Sequence, residues 1–304
     1  MHRFCKVFLR KRIIFAESMV KEVTIQGIAG CFQDVAARQF FDIHFPDSNI
    51  STIACESFPA MFATLGADES LCGIMAIENT IAGALLQNHE LLRKSDLRIV
   101  GEHKMRISHS IAALPGETLE SVKAVLSHPM ALMQCDVFLS AHPHIKMVEW
   151  FDTAGAARDI AAKQTPASAA ICPPLAAELY GLNVLQREIE TNKRSFTRFL
   201  ILAHENDAQS MLPTEDKINK ASIVFTLPHT QGALSKILTI LSFYDLNLTK
   251  IQSMPILGRE WEYRFYVDLT FDDLTRYHQG LDAIKPLITD YKSLGEYAEC
   301  TQNV

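Results

Sequence analysis

The chain lacks most of the signatures that would tie it to a metal, a nucleotide, a membrane or a nucleic acid. Its seven cysteines (Cys5, Cys31, Cys55, Cys72, Cys135, Cys172 and Cys300) are odd in number and include no C-x-x-C pair. That argues against a zinc ribbon or a disulfide framework and for buried, reduced thiols in a cytoplasmic protein. The 11 histidines show no ligand spacing, and H-E-x-x-H is absent. There is no P-loop and no G-x-S-x-G elbow, and "GIAGCF" offers only G-x-x-G where a dinucleotide fold would need three glycines. A reaction without metal or cofactor is therefore the expectation. No run of about 18 apolar residues occurs, so no membrane-spanning helix is expected. Positive charge is in deficit: 29 Lys and Arg against 35 Asp and Glu give a net charge of -6. A nucleic-acid binder normally carries a basic face, so that class is disfavoured. A small anion in a locally positive pocket remains compatible with the total.

What is present fits a soluble protein of about two domains, by the rough guide of ~150 residues each. Hydrophobic residues make up 48% of the 304 and charged residues 21%, enough to build real cores. Residues 1–20 form a basic N-terminal extension with Arg3, Lys6, Arg10, Lys11 and Arg12. This stretch has no uninterrupted apolar region of ~7–15 residues and so does not read as a signal peptide. An amphipathic targeting segment, a basic tail, or a true start at Met19 are the alternatives.

Residues 21–205 alternate β-rich runs with helical patterns. "KEVTIQG" precedes "VAARQFFDIHF", and "LCGIMAI" precedes "TIAGALLQNHELLRKS". "VKAVLSH" precedes "PMALMQCDVFLSAH", and "IKMVEWFD" precedes "TAGAARDIAAKQ". This order predicts an α/β region with a mainly parallel sheet. The joints carry capping and turn residues: Gly27, Gly30 and Gln33; Glu78, Asn79 and Thr80; Ser127, His128 and Pro129; Asp152 and Thr153. Any single one serves as a helix cap. Together, at the carboxyl ends of strands, they describe a place where helix N-termini can receive an anion such as a carboxylate. Residues 206–220, with Pro213 and mixed charges, read as a linker. Residues 221–300 then follow the order βαββαβ of a ferredoxin-like sandwich.

Eight segments resemble prephenate dehydratase with a C-terminal ACT regulatory domain, over about residues 22 to 299. They are "GIAGCFQDVAA", "GIMAIENTIAG", "RISHSIAALPG", "SHPMALMQC", "DTAGAA", "FTRF", "GALSKIL" and "WEYRFYVD", in family order. The resemblance implies a two-lobed, periplasmic-binding-protein-like catalytic region in which the chain passes between the lobes twice. It implies conversion of prephenate to phenylpyruvate, with loss of water and carbon dioxide, on the route to phenylalanine. By the same resemblance Thr197 assists departure of the ring hydroxyl. A threonine hydroxyl is a weak acid, so a positioned donor is the expected role.

The substrate contacts implied are Asn79, Thr80 and Gly83, then Cys31, Phe32 and Gln33 from the first lobe, and Thr153 and Ala154 from the second. Arg198 and Phe199 complete the set. Strand alternation sends Thr197 and Arg198 to opposite faces. Arg198 therefore either orients a substrate carboxylate or supports the fold through an internal one. Glu78 is either a proton partner or structural. No metal and no catalytic thiol are implied. Ser195 stands where the family usually has Asn, and Ala76 where it has Pro.

In the last domain the resemblance implies L-phenylalanine as effector at Gly232, Ala233, Leu234, Asn247 and Ser253, in a homodimer or homotetramer. Gln252 and Met254 replace the family's Glu and Arg, so binding is expected to persist with altered coupling to catalysis. Arogenate, with an amine in place of the keto group, is the alternative substrate. Two other classes remain: a non-catalytic binding protein, which the lobed pattern also suits, and an amino-acid-sensing regulator. No helix-turn-helix or basic patch supports the latter.

Overall fold

The computed structural model describes residues 20–259 and 261–301. Apart from Val20, the basic extension lies outside the described residues. The chain opens with β1 (Val20–Gln26), α1 (Phe32–His44), β2 (Asn49–Cys55), α2 (Phe58–Ala67) and β3 (Cys72–Asn79). A short β4 (Gly83–Ala84), α3 (Leu86–Lys94) and β5 (Arg98–Arg106) follow. β1 pairs in parallel with both β2 and β3, as alternating strands and helices require.

The chain then crosses to a second lobe. This holds β6 (Ser110–Ala113), β7 (Ala124–Ser127), α4 (Pro129–Gln134), α5 (Asp136–Ser140) and β8 (Lys146–Glu149). It continues through α6 (Thr153–Lys163), β9 (Ser168–Cys172), α7 (Pro174–Leu179) and β10 (Asn183–Gln186). A second crossing returns the chain as β11 (Phe196–Ala203), which inserts between β3 and β5 of the first sheet. The first sheet runs β2-β1-β3-β11-β5, with β4 on β3, and the second β10-β6-β9-β7-β8. The two crossings bond to each other: Ile107 N–H donates to Ser195 O and Ile189 N–H to His109 O. β11 is apolar along nearly its whole length because both faces of the sheet are covered.

Four expectations change. The two sheets are mixed, not mainly parallel, because β11, β6 and β10 run against their neighbours. The helical pattern at "TIAGALL" begins only at Leu86. Before it, β3 runs on to Asn79 and turns back into β4, because the Asn79 side chain caps the turn amides of Ile81 and Ala82. The single helix expected from "PMALMQCDVFLSAH" breaks at Cys135 into α4 and α5. The stretch expected to be a linker contains α8 (Glu205–Met211), whose Ala208 and Met211 join the core of the first lobe.

The C-terminal unit comprises β12 (Lys220–Thr226), α9 (Ala233–Phe243), β13 (Asn247–Pro255), β14 (Tyr263–Thr270), α10 (Leu274–Ile284) and β15 (Thr289–Tyr297). Its sheet is antiparallel in the order β13-β14-β12-β15. Alternation splits β12 between two cores. Ala221, Ile223 and Phe225 pack with Ile237, Leu241, Tyr277 and Leu281 of the helices. Val224 packs with Tyr266, Leu294 and Tyr297 against Leu92, Ile99, Leu200 and Leu202 of the first lobe. The sheet therefore docks on the lobe that carries β11. At Gly295 the approach is so close that a Cβ would lie 2.3 Å from Ile99 O.

Candidate functional site

The parallel strands β1, β3 and β5 all finish at one edge of the first sheet, and antiparallel β11 starts there. In the second lobe β7, β8 and β9 finish at one edge, where β6 starts. The crossing from Arg106 to Ser110 joins these two edges, so they face each other across the lobe boundary. Gln26, Cys31, Asn79 and Thr197 stand on one side, with His128, Asp152 and Thr153 on the other. Asp152 comes up against Gly27 and Cys31, and Tyr180 Oη donates to Ala29 O at 2.8 Å. Gly30, with φ +87°, leaves room for α7: a Cβ there would sit 2.8 Å from Ala176 Cα.

Thr197 pairs with Asn79 across β11 and β3. Asn79 Nδ2 donates to Thr197 Oγ1 at 2.9 Å, to Phe196 O at 3.2 Å and toward Ser195 Oγ at 3.4 Å. Its Oδ1 accepts from the amides of Ile81 and Ala82, both at 2.9 Å, which fixes the orientation of the side-chain amide. With its oxygen occupied by the Asn79 donor, Thr197 keeps its own O–H proton for another acceptor. Thr197 is a buried residue, so a bond made there works in a low-dielectric setting.

The expected substrate contacts are placed as follows. Asn79 has both Nδ2 protons directed at acceptors around Thr197. Thr80 Oγ1 donates to Arg194 O at 3.2 Å and accepts from Phe196 N–H at 3.0 Å, so it clamps the entry to β11. Gly83, at φ +79°, is exposed with open space around it. Cys31 stands at the N-terminus of α1, buried; burial and then the Asp152 carboxylate push its thiol up to about 12. Phe32 meets the His109 ring edge-on at 5.1 Å. Gln33 Nε2 donates to Gln26 O at 2.8 Å. Thr153 and Ala154 open α6, where Asp152 accepts from Gly155 N–H at 2.7 Å. Ala154 is fully buried.

Arg198 and Phe199 do not line the cleft. Phe199 is a core residue, 1% exposed. Arg198 points to the opposite face and joins an ion network with the C-terminal sheet. Its Nε donates to Glu102 at 2.6 Å, Nη1 to Glu78 at 3.1 Å and to Asp268, and Nη2 to Tyr297 Oη at 2.9 Å. Lys220 Nζ donates to Glu102 at 3.0 Å, and Ser222 Oγ to Asp268 at 2.6 Å. Lys250 Nζ lies 2.8 Å from Glu78. Burial pushes the Glu102 carboxyl up, but Arg198 and Lys220 outweigh it and the net shift is downward. For Glu78, burial is outweighed by Lys250 and Arg198. An ionised Glu78 held by two cations is structural. Of the two readings of Arg198, the internal one is the one the packing supports.

The five residues expected at the effector site lie on the C-terminal unit. Gly232 precedes α9 at φ +77° in open space, with Ala233 and Leu234 half-buried in its first turn. Asn247 and Ser253 are exposed on edge strand β13, and Asn247 Nδ2 donates to Thr270 Oγ1 at 3.1 Å.

Sequence reasoning overlooked His109, Ser110 and the network itself. His109 Nδ1, Ser110 Oγ and Gln33 Oε1 are buried polar atoms without a protein partner at the lobe boundary. His109 Nε2 is 2.9 Å from Gln134 Oε1, which leaves Nδ1 as an acceptor. Buried atoms of this kind normally have partners, so each is a candidate contact for a polar ligand. The network had a weak signal: Lys220 and Ser222 alternate with apolar residues in a strand that otherwise reads as core.

A family model described as prephenate dehydratase matches residues 23–207. Arogenate dehydratase 2 of Petunia hybrida is 33% identical over 290 residues, covering 90% of this chain and 71% of that protein. The prephenate dehydratase of Arthrobacter aurescens, solved in complex with L-Phe, is 28% identical with a TM-score of 0.79, over 91% of this chain and 89% of that one. A protein described as a novel type of quorum quenching acylase is also 28% identical, with a TM-score of 0.80 over 92% and 99% of the two chains. The chain thus belongs to the prephenate dehydratase family of carbon–oxygen lyases.

Proposed function

We propose that the chain converts prephenate to phenylpyruvate by a concerted loss of carbon dioxide and water. The observation that carries this reading is the Asn79–Thr197 hydrogen bond at the lobe boundary. Breaking the bond to the ring carboxylate releases an electron pair into the ring, and the carbon–oxygen bond to the ring hydroxyl breaks as the ring becomes aromatic. A proton delivered to the departing hydroxide completes the water. Thr197, with its oxygen accepting from Asn79, is oriented to donate at that oxygen as it gains charge. Of the three unpartnered atoms, Ser110 Oγ can donate to a substrate carboxylate, whereas His109 Nδ1 and Gln33 Oε1 accept and suit a donor group such as the ammonium of arogenate. Arogenate is the second reading, favoured by the Petunia relative; the chemistry at the ring is the same.

The C-terminal unit is read as an ACT domain that binds L-phenylalanine around Gly232 and β13 and pairs with a second copy. Exposed Phe243, Ile251, Leu257 and Trp261 on this unit support the pairing. Gln252 and Met254 do not meet as an ion pair, so binding and inhibition are expected to separate.

The test measures phenylpyruvate from prephenate and phenylalanine from arogenate with wild type and Thr197→Ala. Turnover of one substrate, lowered by about 10²–10³ in the variant as for loss of one oxyanion-type donor, supports the reading. Turnover of neither by a folded wild type refutes it and directs attention to acyl hydrolysis. Calorimetry with L-phenylalanine and sedimentation test the effector and the pairing.

A further inference from the structure

We infer that the C-terminal domain positions the catalytic hydroxyl: Lys250, through Glu78, holds the end of β3 that places Asn79 and thereby Thr197. This rests on the dehydratase reading. Glu78 and Asn79 are consecutive in β3 and pair across the ladder with Arg198 and Thr197 of β11. Alternation sends Asn79 and Thr197 toward the cleft and Glu78 and Arg198 toward the C-terminal sheet. One side of this two-by-two block does the chemistry, and the other is gripped by a different domain.

The two members of the gripped pair are held unequally. Arg198 is fastened by Glu102, Asp268 and Tyr297 as well as by Glu78. Glu78 has only two cations among the described residues, Arg198 on Oε1 and Lys250 on Oε2. Removing Lys250 therefore leaves half of the Glu78 carboxylate unmatched while Arg198 keeps its other partners. Lys250 sits in β13, an edge strand bonded among the described strands only to β14. Whatever occupies the open side of β13 can thus be sensed at Glu78. The β3 end reports any shift, because Asn79 Oδ1 holds the amides of Ile81 and Ala82.

The experiment compares Lys250→Met and Lys250→Arg with wild type by kcat, KM and amide hydrogen exchange at residues 79–85. Lys250→Met is expected to lower kcat about tenfold with KM changed less than about twofold, in line with couplings carried between sites by such networks. Exchange at Ile81 and Ala82 is expected to quicken. Lys250→Arg, which keeps a cation in reach of Glu78, should restore both. A merely structural lysine would lower the melting temperature without this split and without local exchange changes. Unchanged kcat in Lys250→Met, or unchanged exchange at Ile81 and Ala82, overturns the inference. If wild type turns over neither substrate, the dehydratase reading has failed and the exchange result still decides this one.

Discussion

Replacing Arg198 by Met should be among the most damaging single changes available, and the network says by how much. The methionine fills most of the volume but leaves three carboxylates without their shared cation. Glu102 keeps Lys220 and Glu78 keeps Lys250. Asp268 loses the guanidinium in direct contact with it and retains Ser222 as its hydroxyl donor and the more distant charge of Lys250. One buried carboxylate thus loses its direct ion-pair partner, and breaking a buried pair in this way costs about 3–5 kcal/mol. That is a large share of a typical stability of about 5–15 kcal/mol.

The pH dependence gives the prediction a second edge. In wild type, burial pushes the Asp268 carboxyl up, but Arg198 and Ser222 outweigh it and its pKa is depressed. A depressed carboxyl contributes stability above its unfolded value of about 3.9, and that contribution is lost as pH falls through the folded value. In the variant burial dominates, so ionised Asp268 costs stability at pH 7 and protonation relieves it. The gap between the two proteins must therefore narrow as pH falls from 7 toward about 4. Urea unfolding followed by far-UV circular dichroism measures the gap. A difference below about 1 kcal/mol at neutral pH, the range of an exposed ion pair, would refute the reasoning, as would a gap independent of pH.

Two further outcomes follow from close packing. Gly295→Ala places a Cβ 2.3 Å from Ile99 O, a backbone atom that cannot swing aside. It should cost about 1–3 kcal/mol and loosen the docking of β15 on β5; a melting temperature equal to wild type would count against it. The Cys31 thiol, buried and pushed up to about 12, should resist iodoacetamide at pH 8 in the folded protein and react promptly in urea. Rapid labelling without denaturant would show that the lobe boundary opens freely there.

The residue types that stand at the lobe boundary were legible in the sequence. "FTRF" announced a strand whose first polar residues have work to do, and alternation alone assigned Thr197 and Arg198 to different faces. The βαββαβ order of the last eighty residues also followed from pattern, because each strand there is bounded by clear turn residues. The helix expected from Thr80 failed because an asparagine side chain bonding its own turn looks, in sequence, like a helix cap. The ordered α8 was hidden for a related reason: a polar helix with only two buried residues has the composition of a linker.

Local chemistry thus determined which segments alternate as strand and helix and which residue types stand at their ends. Partners were decided by the tertiary fold. Asn79 and Thr197 are 118 residues apart, and no local preference distinguishes Asn79 as an anchor for a hydroxyl from Asn79 as a ligand for a carboxylate. Arg198 was ambiguous until β11 entered the middle of the first sheet and the C-terminal sheet closed over it. Burial makes a charge depend on whichever opposite charges the packing brings near, and that is a property of the folded arrangement.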